Sequence, residues 1–93
     1  MSDAVLEKVE IANKRGLHAR ASAKFVSVVS DLPDGVTVTV RKDGVEAAGG
    51  SILGLMMLGA AKGDTIEIEV RGDGADSALA ALATLVRDRF GEE

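Results

Sequence analysis

With 93 residues, 46% of them apolar, and a net charge of -4, the chain has room for one two-layered hydrophobic core and reads as a single domain over residues 1–93. It has no cysteine, which excludes disulfides and thiolate metal sites, and its only aromatic residues are two phenylalanines, which with the acidic balance counts against a nucleic-acid-binding module, the third reading. No apolar run approaches the length of a membrane span, and Met1-Ser2-Asp3-Ala4 lacks the basic flank and apolar stretch of a signal peptide, so the expectation is a cytoplasmic chain with no direct membrane insertion.

Periodicity sets out the elements in chain order. Val5 to Ile11 alternates as a strand, with Val5, Val9 and Ile11 on one face and Lys8 and Glu10 on the other. Ala21, Phe25, Val28, Val29 and Leu32 recur at helical spacing, which predicts a helix over about 19–30, ended by Pro33-Asp34-Gly35. Its valines lower intrinsic propensity, so packing must hold it. Val36 to Val40 alternates strictly, and Lys42-Asp43-Gly44 signals a hairpin into a short strand at 45–47. Ser51 to Leu58 reads as a short helix. Thr65 to Arg71 alternates with Ile66, Ile68 and Val70 inward and Glu67 and Glu69 outward. In the last helix Ala75, Ala78, Leu79, Leu82, Leu85, Val86 and Phe90 form one apolar stripe, with Asp73 and Asp76 near its start, Arg87 and Arg89 near its end, and Gly91 as the stop. Strands with one buried and one wet face imply an antiparallel four-stranded sheet with three helices on one side. The expected fold is an α+β open-faced β-sandwich in βαββαβα order.

The only histidine, His18, lies in Gly16-Leu17-His18-Ala19-Arg20-Ala21-Ser22 at a loop-to-helix junction, and no acidic residue occurs from Ile11 through Ser30. Lys14, Arg15, Arg20 and Lys24 share that stretch. An imidazole among cations beside a helix N-terminus can hold an anion, and a neutral ring nitrogen can carry a phosphoryl group as a covalent intermediate. The first-turn amides of Ala19 and Arg20 supply donors, and the Arg20 guanidinium is a planar partner for phosphate oxygens. Gly16 permits a tight backbone turn before the histidine. No carboxylate lies near His18 in sequence, which suits a carrier that does not hydrolyse its own cargo. Taken as a lone residue, His18 reads first as an N-cap or surface histidine with no chemical role; the flanking cations and the helix junction shift that reading. A metal site is not expected, because there is no second histidine and no cysteine.

From Ala47 through Ala61 the chain has no charge. Ile52, Leu53, Leu55, Met56, Met57 and Leu58 make its short helix apolar all round, although a helix over an open sheet buries one side only. The remainder would be a docking patch, chiefly Leu53, Met56 and Met57. The alternative is that all six are core. Ser51, after Gly49-Gly50, reads as that helix's N-cap.

Asn13-Lys14-Arg15-Gly16-Leu17-His18-Ala19-Arg20 resembles the active-site signature of the HPr family, the histidine-containing phosphocarriers of the phosphoenolpyruvate-dependent phosphotransferase system (PTS). Ser51-Ile52-Leu53-Gly54-Leu55-Met56-Met57-Leu58-Gly59, followed by Ala61-Lys62-Gly63, resembles the family's second signature. Ala21 stands where the family usually has proline, which implies a less rigid first helical turn. The resemblance implies phosphorylation of His18 at Nδ1, Arg20 as its electrostatic partner, and no cofactor. It implies docking of enzyme I and enzyme IIA domains at Ile52, Leu53, Met56 and Met57, with Leu17 and Lys24 contributing, and regulatory phosphorylation of Ser51 by an HPr serine kinase/phosphorylase. The expected molecule is a monomeric carrier of an acid-labile phosphohistidine rather than a free-standing catalyst. A second reading is an HPr-like regulator of the nitrogen-related branch, toward which Asn13-Lys14 and the acidic Gly91-Glu92-Glu93 lean, while Gly54 and Gly59 lean toward the sugar branch.

Overall fold

The computed structural model describes residues 4–92. In chain order it contains β1 (Val5–Glu10), α1 (Ala19–Ser30), β2 (Thr37–Lys42), β3 (Val45–Ala48), α2 (Ile52–Met57), β4 (Thr65–Arg71) and α3 (Ala75–Arg87), then a single 3-10 turn (Arg89–Gly91). The strands form one antiparallel sheet in the order β1-β4-β2-β3. This is the open-faced arrangement expected from the alternation. The β2–β3 turn is a two-residue hairpin, with φ of 51° at Asp43 and 82° at Gly44. Positive φ at both central positions matches the twist of the flanking strands, and Asp-Gly is a pair that tolerates it.

Side-chain period fixes the sheet register. Val9 opposite Ile66 and Val40 opposite Ile68 place apolar residues on the same face, and a one-residue slip would turn all of them to solvent. Above that face α3 packs on β1 and β4, and α2 on β3, with α1 lying against both helices. Phe25, Leu55, Leu82, Val86 and Phe90 fill the space between the layers and are fully buried with Ile11, Ile66 and Ile68.

Two expectations need correction. Glu69 does point to the outer face of the sheet, but it is buried there under two arginines. Arg41 Nη2 lies 2.6 Å from its Oε1 and Arg71 Nη2 2.7 Å from its Oε2. The hydrogen bond from Arg41, together with Arg71, holds the Glu69 carboxyl below the usual carboxylate range against the opposing effect of burial. The second concerns α3, which stops at Arg87. Phe90 keeps its place in the core from the following turn, where Arg89 and Phe90 take φ of 58° and 55°. Left-handed backbone at two non-glycine residues redirects the chain, and it determines what reaches His18.

Candidate functional site

The loop from Ile11 to Leu17 is stitched to the segment following α2. Ile11 N–H donates to Asp64 O at 2.8 Å, Gly63 N–H to Ile11 O at 2.8 Å, and Leu17 N–H to Ala60 O at 3.0 Å. Gly16, with φ +63°, runs against the same carbonyl; a Cβ there would stand 2.2 Å from Ala60 O. The two sequence signatures therefore meet through backbone contact.

His18 is the N-cap of α1. Its backbone is extended, its carbonyl accepts from Ser22 N–H at 2.9 Å, and its Nδ1 accepts from Arg20 N–H at 3.2 Å. The plain capping reading and the chemical reading thus describe the same residue. Because the Arg20 amide can only donate, Nδ1 bears a lone pair, and the ring proton is assigned to Nε2 by its partners. Nε2 lies 2.6 Å from Glu92 Oε2. Ala19 N–H has no partner among the described residues, and Arg20 N–H is held only by Nδ1. Both amides lie at the α1 N-terminus, where an anion is favoured.

A cleft of about 240 Å3 is lined by Lys14, Arg15, His18, Arg20 and Glu92. Among the described residues, Lys14, Arg15 and Arg20 have no carboxylate partner, and neither do Lys8, Lys24, Lys62 and Arg89; what sets the first three apart is that they line one cleft with His18. Three cations and one carboxylate, Glu92, therefore surround the histidine in this cleft. Lys24 is exposed, but its Nζ donates to Phe90 O at 2.7 Å and so ties α1 to the terminal turn.

Glu92 corrects the expectation that no carboxylate accompanies His18. The expectation held along the sequence, but the contact spans 74 positions. Glu92 Oε1 also accepts from Asn13 Nδ2 at 3.1 Å, and the same Nδ2 donates to Gly16 O at 2.8 Å. Burial tends to raise the Glu92 carboxyl, but hydrogen bonds from Asn13 and His18 and the nearby charge of Lys24 hold it below its ordinary value. No sequence signal marked the pair, because the link passes through left-handed residues at Arg89 and Phe90 that neither type favours.

On α2, Ser51 caps the helix, its Oγ accepting from Gly54 N–H at 2.9 Å. Leu55 and Leu58 are buried, while Leu53 and Met57 are 67% and 75% exposed and Ile52 and Met56 about 40% exposed. The uncharged helix is therefore part core and part open patch. Leu17, expected to contribute to docking, is instead 5% exposed and belongs to the core. The positive φ at Gly16 and the bond to Ala60 turn its side chain inward.

The family described as the PTS HPr component phosphorylation site matches residues 5–88. The chain is 48% identical over 86 residues to a phosphocarrier protein HPr of Neisseria meningitidis, covering 92% of this chain and 94% of that protein. It is 37% identical over 89 residues to phosphocarrier protein NPr of Escherichia coli, covering 96% and 98%. An HPr crystal structure from Thermoanaerobacter tengcongensis superposes with a TM-score of 0.88 at 37% identity, covering 96% of this chain and 98% of that one. Both signatures, the sheet order and the cation-ringed histidine at the α1 N-terminus agree with these likenesses: the chain belongs to the HPr family of phosphocarriers of the phosphotransferase system.

Proposed function

We propose that His18 takes a phosphoryl group on Nδ1 from phospho-enzyme I and passes it to enzyme IIA domains. The observation that carries this reading is the Nδ1 lone pair, held toward Arg20 N–H at the start of α1 inside a cleft with three unpaired cations. That amide is the natural donor to a phosphoryl oxygen once Nδ1 has formed its bond to phosphorus, and the adjacent Ala19 N–H is a second. The Arg20 guanidinium, which has no carboxylate partner among the described residues, neutralises the charge that gathers on the group in transfer. The exposed side of α2, formed by Ile52, Leu53, Met56 and Met57, is the docking patch, and methionine there can repack against successive partners. Lys24 serves the dock indirectly, by bracing the terminal turn. Phosphorylation of Ser51 would place about two negative charges beside the patch, weakening partners with acidic surfaces.

The test is incubation with phosphoenolpyruvate and enzyme I, with intact mass and acid lability recorded for wild type and His18→Ala. One acid-labile phosphate on wild type and none on the variant is the expected result. An unlabelled wild type beside a normally labelled control carrier would refute it. The likeness to NPr supports a second reading, in which the phosphorylation state of His18 regulates partners of the nitrogen-related branch. Rates with the enzyme I of each branch as donor separate the two.

A further inference from the structure

We propose that Glu92 is a positioning residue for phosphoryl transfer, holding a proton on Nε2 of His18 so that Nδ1 is the nucleophile and the phosphorylated ring stays in its protonated, readily transferring form. The inference rests on the carrier reading of His18. Glu92 lies beyond the residues 5–88 that carry the family match, so nothing in that match assigns it a role.

Three observations support it. The first is the 2.6 Å approach of Glu92 Oε2 to Nε2, short enough for a charge-assisted hydrogen bond, with the opposite ring nitrogen engaged as an acceptor by Arg20 N–H. Second, the carboxylate is itself held in place. Asn13 is fully buried, and its Nδ2 serves both Gly16 O and Glu92 Oε1, while its Oδ1 is buried with no partner among the described residues. A side chain that satisfies two acceptors with its donor end while its own acceptor goes unmet is placed for donation, and unmet buried groups of this kind mark functional sites. Third, Arg89, Phe90 and Gly91 all have positive φ, at 58°, 55° and 75°. Two of these are residues that rarely accept such backbone, and strain of this sort concentrates where geometry matters for function. The buried Phe90 ring and Lys24 Nζ on Phe90 O lock the turn that delivers Glu92.

The transfer balances without a proton moving. Nδ1 gives its electron pair to phosphorus as the donor's bond to phosphorus breaks, and that bond's pair leaves with the donor. The ring keeps its Nε2 proton and gains one positive charge, directly opposite Glu92. In the onward step the N–P bond breaks, its pair returns to Nδ1, and the ring is again the neutral Nε2–H tautomer. Without that proton the leaving group would be an imidazolate, a far poorer one. Among the described residues the charged groups facing the pair are Lys14, Arg15 and Arg20 in the cleft and Lys24 from α1, all cations, so of these neighbours Glu92 is the one whose charge favours a charged ring.

The test compares onward transfer from phosphorylated wild type, Glu92→Gln and Glu92→Asp across neutral to alkaline pH, with 15N spectra of resting His18 recorded alongside. Glu92→Gln is expected to move the alkaline fall-off of transfer down by about one pH unit and to mix the two neutral tautomers, because an opposite charge at this range favours the charged form by about that much. Glu92→Asp keeps the charge and stays nearer wild type. A Glu92→Gln profile superimposable on wild type would overturn the inference. If wild type takes up no phosphate, the carrier reading falls, and the spectra decide the role of Glu92. Nε2–H in wild type against a mixture in Glu92→Gln sustains it, and an unchanged tautomer refutes it.

Discussion

Replacing Gly16 with alanine tests whether the backbone contact between the two signatures sets the site. At φ +63° an L residue pays roughly 1–2 kcal/mol for left-handed backbone. The added Cβ would lie 2.2 Å from Ala60 O and 2.9 Å from Ala61 Cα. Ordinary contact needs about 1 Å more, and the carbonyl cannot retreat freely because Leu17 N–H bonds to it at 3.0 Å. Overpacking against rigid backbone adds about 1–3 kcal/mol. The sum, about 3 kcal/mol, corresponds to a fall in Tm of roughly 12–24 °C for a chain of this size. Gly44→Ala is the control. Its φ is +82° but nothing lies within 4 Å of the added Cβ, so it should lose only the conformational part. Thermal unfolding of both variants gives the difference, and phosphorylation at low temperature shows whether displacing the loop also slows His18. Equal losses in the two variants, or a loss at Gly16 below about 1 kcal/mol, would refute the steric argument.

Leu53→Ser and Met57→Ser should leave stability within about 0.5 kcal/mol of wild type, because both side chains are mostly exposed, yet weaken binding to enzyme I about tenfold; titration of enzyme I against unfolding midpoints checks the contrast. Ser51→Asp keeps an N-cap oxygen for Gly54 N–H and adds charge, so transfer to His18 should slow while the fold holds; an unchanged rate removes the regulatory reading. Arg20→Ala should lower the phosphorylation rate by about 100-fold at unchanged stability, as loss of one charge-stabilising donor does, measured by single-turnover transfer. Glu69 and Glu92 both titrate lower in the folded chain than their ordinary value of 4.5. Their contribution is therefore complete above that value and is lost as pH falls through the lowered folded one. Denaturant unfolding on acidification should show a steeper loss for wild type than for Glu92→Gln.

Much of the architecture was legible because β1, β2 and β4 bury one face and expose the other, so alternation maps directly onto register. The histidine was legible too: an acid-free run with four cations is unusual in an acidic chain and coincides with a helix start. What periodicity cannot see is backbone handedness. Gly16 turns Leu17 into the core and Arg89-Phe90 turns Glu92 toward His18, and in both cases a positive φ reverses which side chain faces where. Glu69 escaped for a different reason. Its alternation was read correctly, but Arg41 from the neighbouring strand and Arg71 from its own fold over it, and pattern alone does not tell a solvated carboxylate from a covered one.

The terminal turn has a consequence for how the site comes into being. Asn13 and His18 precede Glu92 in the chain, His18 by 74 positions. The hydrogen-bonded pair cannot exist on a partly made chain, however well β1, α1 and α2 have formed. Until Glu92 has been made and the terminal turn has formed, His18 is present without this partner on Nε2. The same geometry makes the two ends unequal for protein engineering. An affinity tag fused directly after the turn loads the residue that bonds to His18 and Asn13, whereas one placed before β1 joins an edge strand of the sheet.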